Sequence, residues 1–224
     1  MSDVKEPHYK HHKHHAPVVN LDDFEGLLQK ASDLRGHRCL GLPLGIKMAQ
    51  LGVKLLNLSE EDKQEYLMVF VENDKCPADG LQIATGCSAG SRKFKMLPYG
   101  KSAASFVDGR TGKGYRVVSK NDVNVRALAL AVKDGIIAAD EKVEVMSSLE
   151  RHILMNAFMK LTPEELLDAQ RIEIIWNDPL ISSKSEPFVC CSKCGEEIMS
   201  GLGNRQDGKI LCRPCLNGSY YKQV

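Results

Sequence analysis

Eight cysteines are the residues of this chain best suited to chemistry: Cys39, Cys76, Cys87, Cys190, Cys191, Cys194, Cys212 and Cys215. A thiolate is both a nucleophile and a ligand for soft or borderline metals, so spacing decides which use is open to each. Cys191-x2-Cys194 is followed by 17 residues and then by Cys212-x2-Cys215. Two such pairs at this separation match a structural zinc site, each pair offering two thiolates from one tight turn. Gly195 follows the second cysteine, where the turn needs a residue free to take positive φ. Cys190 is an alternative first ligand; Cys191 is preferred because it alone gives the two-residue spacing.

A second constellation lies in the first ninety residues. It reads Gly36-His37-Arg38-Cys39-Leu40-Gly41-Leu42-Pro43-Leu44-Gly45, with His37 and Cys39 just ahead of a predicted helix. The partial positive charge of a helix N-terminus favours a thiolate there. Gly36, Gly41 and Gly45 would let backbone or ligand approach closely. Cys76 and Cys87 bracket another short predicted helix that contains Asp79. Converging, His37, Cys39, Cys76 and Cys87 could hold a second metal or a reactive thiol. Cys39 is then nucleophile or ligand, His37 a base, and Asp79 a further ligand or proton acceptor. The plainer alternative is packing, since free cysteines often serve as small buried hydrophobes.

The elements that must position these residues are legible in outline. Leu21–Leu34 reads as a helix, and Leu44, Met48, Leu51 and Leu55 recur at helical spacing behind Pro43. Tyr66–Val71 is an apolar run suited to a buried strand, and Ala78–Ala84 a short helix stopped by Gly86. Ser102–Asp108 and Gly114–Ser119 flank a turn-forming stretch as a hairpin. Val123–Lys133 and Glu141–Met159 are predicted helices, Thr162-Pro163-Glu164-Glu165 a capping box opening a short one, and Arg171–Trp176 a last strand. The expected class is α+β: an antiparallel or mixed sheet with helices packed on it, plus a small C-terminal zinc-binding module. The expected organisation is a tail (1–17), the core domain (18–177), a proline-bounded linker (178–187) and the cysteine module (188–224).

Composition narrows the function classes. The chain has 224 residues, 43% apolar and 26% charged, enough to bury a core without disulfide staples. Its formal charge of +1 argues against a general polyanion binder. The C-terminal module carries five basic and three acidic residues, and four thiolates around one zinc bring it near neutrality, so nucleic acid is an unfavoured partner. The sequence offers neither a long apolar span nor an apolar leader, so a cytoplasmic protein with metal or redox use of its thiols is expected. His8, His11, His12, His14 and His15 make the tail a candidate for capturing zinc, nickel or copper.

Taken in order, these blocks resemble FmdE, a family named for formylmethanofuran dehydrogenase. His37-x-Cys39-x-Gly41 and Gly45-x-Lys47-Met48-Ala49 match its glycine-rich signature. Cys76-x2-Asp79-Gly80-Leu81-Gln82 with Thr85-Gly86-Cys87 matches its second block. Gly100-Lys101, Ala103-Ala104, Phe106, Gly112-Lys113 and Arg116-Val117 match the following hairpin, and Leu161–Leu166 the late helix. Leu40 stands where the family usually has proline, and the His-rich tail lies outside the pattern. Some members carry a C-terminal treble-clef zinc finger, which residues 188–224 resemble. The resemblance implies an α+β core, commonly dimeric, with a site built from the His-x-Cys and Cys-x2-Asp-Gly blocks. It further implies association with molybdenum- or tungsten-dependent formate or formylmethanofuran chemistry, through a partner enzyme or a related cofactor in the core site. Gly41 and Cys87 fall at positions implied to line that cofactor. Alternative readings are a stand-alone metal- or thiol-dependent enzyme and, less favoured, a zinc-finger regulator binding nucleic acid.

Overall fold

The computed structural model describes residues 17–136, 155–175, 188–199 and 201–222. The His-rich tail, most of the helix predicted over Glu141–Met159, and the linker 178–187 lie outside the described residues. By internal contacts the chain forms two compact units, Met1–Ile172 and Glu173–Val224.

The first unit opens with α1 (Phe24–Arg35), whose first turn is capped by Asp23 accepting from the Gly26 amide, and which Gly36 ends in the left-handed conformation at φ 83°. Then come α2 (Gly41–Leu56), α3 (Glu60–Tyr66), β1 (Leu67–Val71), α4 (Cys76–Thr85), β2 (Phe94–Met96), β3 (Ala103–Asp108), β4 (Lys113–Ser119) and α5 (Val123–Lys133). Residues 155–160 are helical. The one-turn α6 (Pro163–Leu166) and β5 (Leu167–Glu173) follow. The five strands form one mixed sheet in the order β2-β1-β3-β4-β5. β1 runs parallel to β2 and antiparallel to β3, and β3 and β4 form the expected hairpin.

Most of this architecture follows from local pattern. β1 is buried along its whole length, which suits a central strand covered on both faces. The Thr162 capping box forms as expected: Oγ1 accepts from the Glu165 amide while the Glu165 carboxylate accepts from the Thr162 amide at 2.7 Å. Three features differ from expectation. Helix α3 forms where the apolar pattern assigns no element, on a Ser59 cap with Glu60, Glu61 and Asp62 in its first turn. The three-residue β2 is too short to leave a periodic signature. The last strand begins at Leu167 rather than Arg171, because α6 stops after one turn and the chain passes straight into the strand.

The core lies between sheet and helices, with Leu28, Leu42, Ile46, Met48, Phe106 and Phe158 fully buried. Lys47 is buried on the same helix as Ile46 and Met48. Its ammonium donates to the carbonyls of Met159 (3.1 Å) and Leu161 (2.5 Å) and lies 4.9 Å over the Phe24 ring. Burial pushes its pKa down from the usual lysine value. It pins the carbonyl end of the helical stretch 155–160 to α2.

The second unit contains two short antiparallel ribbons, β6 (Val189–Cys190) with β7 (Glu197–Ile198) and β8 (Asn204–Gln206) with β9 (Lys209–Leu211). A helix, α7 (Arg213–Asn217), follows. Among the described residues its core is small: Cys191, Ile198 and Cys212, with Val189, Leu202, Ile210, Leu211 and Cys215 around them. So little apolar burial points to metal as the organising force.

Candidate functional site

The C-terminal site is built by a turn, a ribbon and a helix start. Cys191 leaves β6 into a tight turn closed by the Gly195 amide donating to the Cys191 carbonyl at 2.9 Å, with Gly195 at φ 78°. Cys212 is the residue capping α7, and Cys215 lies in that helix's first turn. Ser192 ties the turn to β9, its amide donating to the Ile210 carbonyl at 2.8 Å. The sulfurs of Cys191, Cys194, Cys212 and Cys215 all lie within 4.8 Å of one another. A tetrahedron with metal–sulfur bonds of ~2.3 Å has edges of ~3.8 Å. Cys194 Sγ and Cys212 Sγ are 3.8 Å apart. Cys190 is exposed on β6 and stands outside the cluster, whereas Cys191 groups with the other three.

The electrostatics ask for a cation. Backbone amides of Cys194, Cys212 and Lys193 pull the Cys191 thiol down to about 6. The Cys212 amide donates to Cys191 Sγ at 3.4 Å. The neighbouring thiols, Cys212 first, push Cys215 up to about 12, because four sulfurs this close resist carrying four negative charges together. A divalent ion removes that conflict. The donor set therefore fits a tetrahedral zinc ion, held by four thiolates with no open position.

The core site has a different construction. Helices α2 and α4 approach closely because glycines line their contact: a Cβ on Gly45 would sit 2.2 Å from the Pro77 carbonyl oxygen, and one on Gly41 2.7 Å from Cys76 Cβ. The entry into α4 is fixed from below. Glu72, at the end of β1, accepts a two-pronged hydrogen bond from Arg116 at 2.5 and 2.8 Å, and Asn73 bonds the Lys101 carbonyl and the Lys75 amide. This carries Cys76, first residue of α4, to Cys39 in the loop before α2. Both thiols are half-buried. Burial pushes the Cys39 thiol up, and the adjacent Cys76 adds to the shift, against the amides of Gly41 and Leu42 that pull it down. Arg35, in the last turn of α1, donates to Asp79 at 3.1 Å. Its pKa stands above the usual value, chiefly through Cys76, with Asp79 and Cys39 contributing.

Of the core residues singled out by sequence, the structure brings Cys39, Cys76 and Gly41 together, with Asp79 engaged by Arg35. His37 is exposed. Cys87 is fully buried, its thiol 3.6 Å from the Leu67 carbonyl, and burial pushes it up to about 11. It follows the far end of α4, roughly 15 Å along the helix from Cys76. Among the described residues no three of His37, Cys39, Cys76, Asp79 and Cys87 converge as the C-terminal four do. Arg35 is a participant that sequence reasoning misses. A basic residue in a last turn is an ordinary helix-end feature, and its spacing of four from Cys39 is the available signal.

A cavity of about 730 Å³ lies elsewhere in the same unit. Residues 18–22, the second half of α2, the start of α3 and α6 line it, with Lys54, Lys63, Glu60 and Glu164 at its polar walls. It touches neither Cys39 nor Cys76.

The family described as FmdE, molybdenum formylmethanofuran dehydrogenase operon, matches residues 34–168. The chain belongs to the FmdE family. It is 31% identical over 209 residues to a probable S-adenosyl-L-methionine-binding protein of Archaeoglobus fulgidus, covering 88% of this chain and 54% of that protein. The chain thus spans about half the length of this curated relative. An FmdE-like protein of Syntrophus aciditrophicus, named for a tungsten formylmethanofuran dehydrogenase, has a similar fold, with TM-score 0.58 and 21% identity over 92% of this chain and 100% of that one. This FmdE member combines a mixed α+β core with a C-terminal four-cysteine cluster that could hold a metal. Among the described residues no helix is long and apolar enough to cross a membrane.

Proposed function

We propose that the protein is a metal-binding accessory protein of a molybdenum- or tungsten-dependent enzyme system handling formate or formylmethanofuran chemistry. The observation that carries the reading is the convergence of Cys191, Cys194, Cys212 and Cys215 within 4.8 Å. Zinc suits this donor set and acts structurally, since four protein ligands leave no place for substrate. The link to molybdenum or tungsten chemistry is supported by the description of the FmdE family and by the name of the Syntrophus neighbour. The near-neutral module is better suited to contact with protein than with nucleic acid. The accompanying proposals are a homodimer, a cytoplasmic setting and an enzyme partner.

Metal analysis tests this reading, on protein purified without added metal and with residues 1–17 removed. One zinc per chain, lost in Cys212→Ser, is expected; absence of metal from the wild type overturns it. The finer proposal of a second metal at Cys39, Cys76 and His37 requires His37 to turn in from solvent, and Arg35 opposes a further cation by like charge. Its test is a second metal per chain that disappears in Cys39→Ser.

The Archaeoglobus relative favours a second reading, in which the chain binds S-adenosyl-L-methionine or a similar small molecule. The cavity bounded by α2, α3 and α6 has the size for a small ligand. Calorimetric titration of the zinc-loaded protein with S-adenosyl-L-methionine tests it. Binding weakened by Lys54→Met supports the reading, and absence of heat rejects it.

A further inference from the structure

The paired thiols of the core have a chemistry that needs no metal. We propose that Cys39 and Cys76 form a reversible dithiol–disulfide couple that exchanges with small-molecule disulfides of the glutathione class. The inference goes beyond the metal-binding reading and stands on the core geometry alone.

Three observations carry it. The first is proximity on a fixed frame. Cys76 Cβ lies 2.7 Å from the point where Gly41, two residues beyond Cys39, would place a side chain. A disulfide needs Cβ atoms ~3.8 Å apart on a backbone that does not have to move far. Here the frame is two helices in contact through Gly45 against Pro77 and Gly80 against Leu42, where an added Cβ would meet backbone oxygen at 2.2 and 2.4 Å. The second is access. Both thiols are half-buried, within reach of a small reagent, whereas Cys87 is sealed in the core. The third is charge. The guanidinium of Arg35 acts on both sulfurs, and the amides of Gly41 and Leu42, at the start of α2, face Cys39. A nearby cation stabilises a thiolate as it attacks or leaves, working against the burial that raises the Cys39 thiol. This is the reverse of the C-terminal cluster, where four sulfurs crowd together and call for a dication.

The exchange balances without any further reagent. One cysteine thiolate attacks the external disulfide, forming a mixed disulfide and releasing one external thiolate, which takes up the proton the cysteine gave up. The second cysteine loses its proton, attacks the protein sulfur of the mixed disulfide and displaces the second external thiolate, which is protonated in turn. The protein gives up two electrons and two protons, and one external disulfide becomes two external thiols.

The test uses the full-length zinc-loaded chain in anaerobic buffers of graded oxidised-to-reduced glutathione ratio, quenched by alkylation. Intact mass, peptide mapping and zinc content are read on the same samples. Expected are a loss of two hydrogens, a Cys39–Cys76 linked peptide, full reversal by reduced glutathione, and unchanged zinc. Cys39→Ser and Cys76→Ser each abolish the linked peptide and stop at a single glutathione adduct, while Cys87→Ser keeps it. Accumulation of glutathione adducts alone in the wild type overturns the proposal, as does a linked peptide that joins other cysteines. Arg35→Gln slows the first exchange several-fold; an unchanged rate removes Arg35 from the couple. Loss of zinc in Cys212→Ser with retained exchange separates this couple from the metal-binding reading.

Discussion

The two cysteine sites of this protein are made from the same side chain and similar local parts, a turn and the start of a helix, yet their chemistries diverge. In the C-terminal module four sulfurs converge, backbone amides lower one of them, and crowding raises another. In the core the loop thiol of Cys39 interacts with Cys76 at the start of α4, near the Arg35 guanidinium. The first arrangement is short of positive charge and fits a dication. The second already has its cation and is suited to thiol exchange. Ligand number and neighbouring charge, not the presence of cysteine, separate a metal site from a redox pair.

The largest expected effect comes from removing the metal. Structural zinc contributes on the order of 10 kcal/mol to folding of modules this small. Chelation, or Cys212→Ser, is therefore expected to unfold residues 188–224 completely and to leave the helical signal of the core. Amide exchange by mass spectrometry reads both parts at once. Loss of protection in α2 and α4 would show that the two regions do not fold independently.

Next in size is the helix contact that makes the core pair. Gly45→Ala places a methyl group 2.2 Å from a backbone oxygen. It is expected to lower urea-unfolding stability by about 3 kcal/mol and to abolish Cys39–Cys76 exchange, with zinc content intact. A variant of wild-type stability would mean the helices have room to part.

Cys87 sharpens the contrast with a third thiol that does neither job. Its folded pKa is raised to about 11 from 9.0 by burial. The neutral thiol therefore contributes stability that is fully present below pH 9 and lost as pH rises through about 11. At about 1.4 kcal/mol per pKa unit, the wild type is expected to lose about 2–3 kcal/mol relative to Cys87→Ala across that window. Urea midpoints at pH 8, 9.5 and 11 check it, and parallel curves for the two proteins would show that Cys87 titrates freely. Native alkylation should also leave Cys87 untouched while modifying Cys39 and Cys76.

The smallest effect is a control at a residue that belongs to neither site. Thr162→Ala removes the α6 cap and is expected to cost about 1 kcal/mol, with neither zinc content nor thiol exchange altered. A change in either would reveal coupling through the Lys47 anchor at Leu161.

Much of the fold is legible in the sequence because its signals are local. The hairpin of β3 and β4, the α5 limits, the Gly86 stop and the Thr162 box each depend on a few neighbouring residues. Helix α3 escapes a reading by apolar period although Ser59 and three acidic residues mark its start, and β2 escapes it because three residues carry no period. At the C-terminal cluster a ligand set read from spacing alone matches the sulfurs the fold brings together, since each pair sits on one turn. The core site is legible only in part. His37 and Cys39 are neighbours in sequence, but the fold leaves His37 in solvent and hands Cys39 a partner from another helix.

The sequence by itself determined the four-thiol module, the family and most helices and strands, because turns, caps and short ligand spacings are settled within a few residues of chain. Tertiary structure alone decided that Cys39 comes near Cys76, that Arg35 bonds Asp79, and that Cys87 is sealed away. Those outcomes depend on how α1, α2 and α4 pack, and the closeness of α2 to α4 is set by side chains that glycine leaves out.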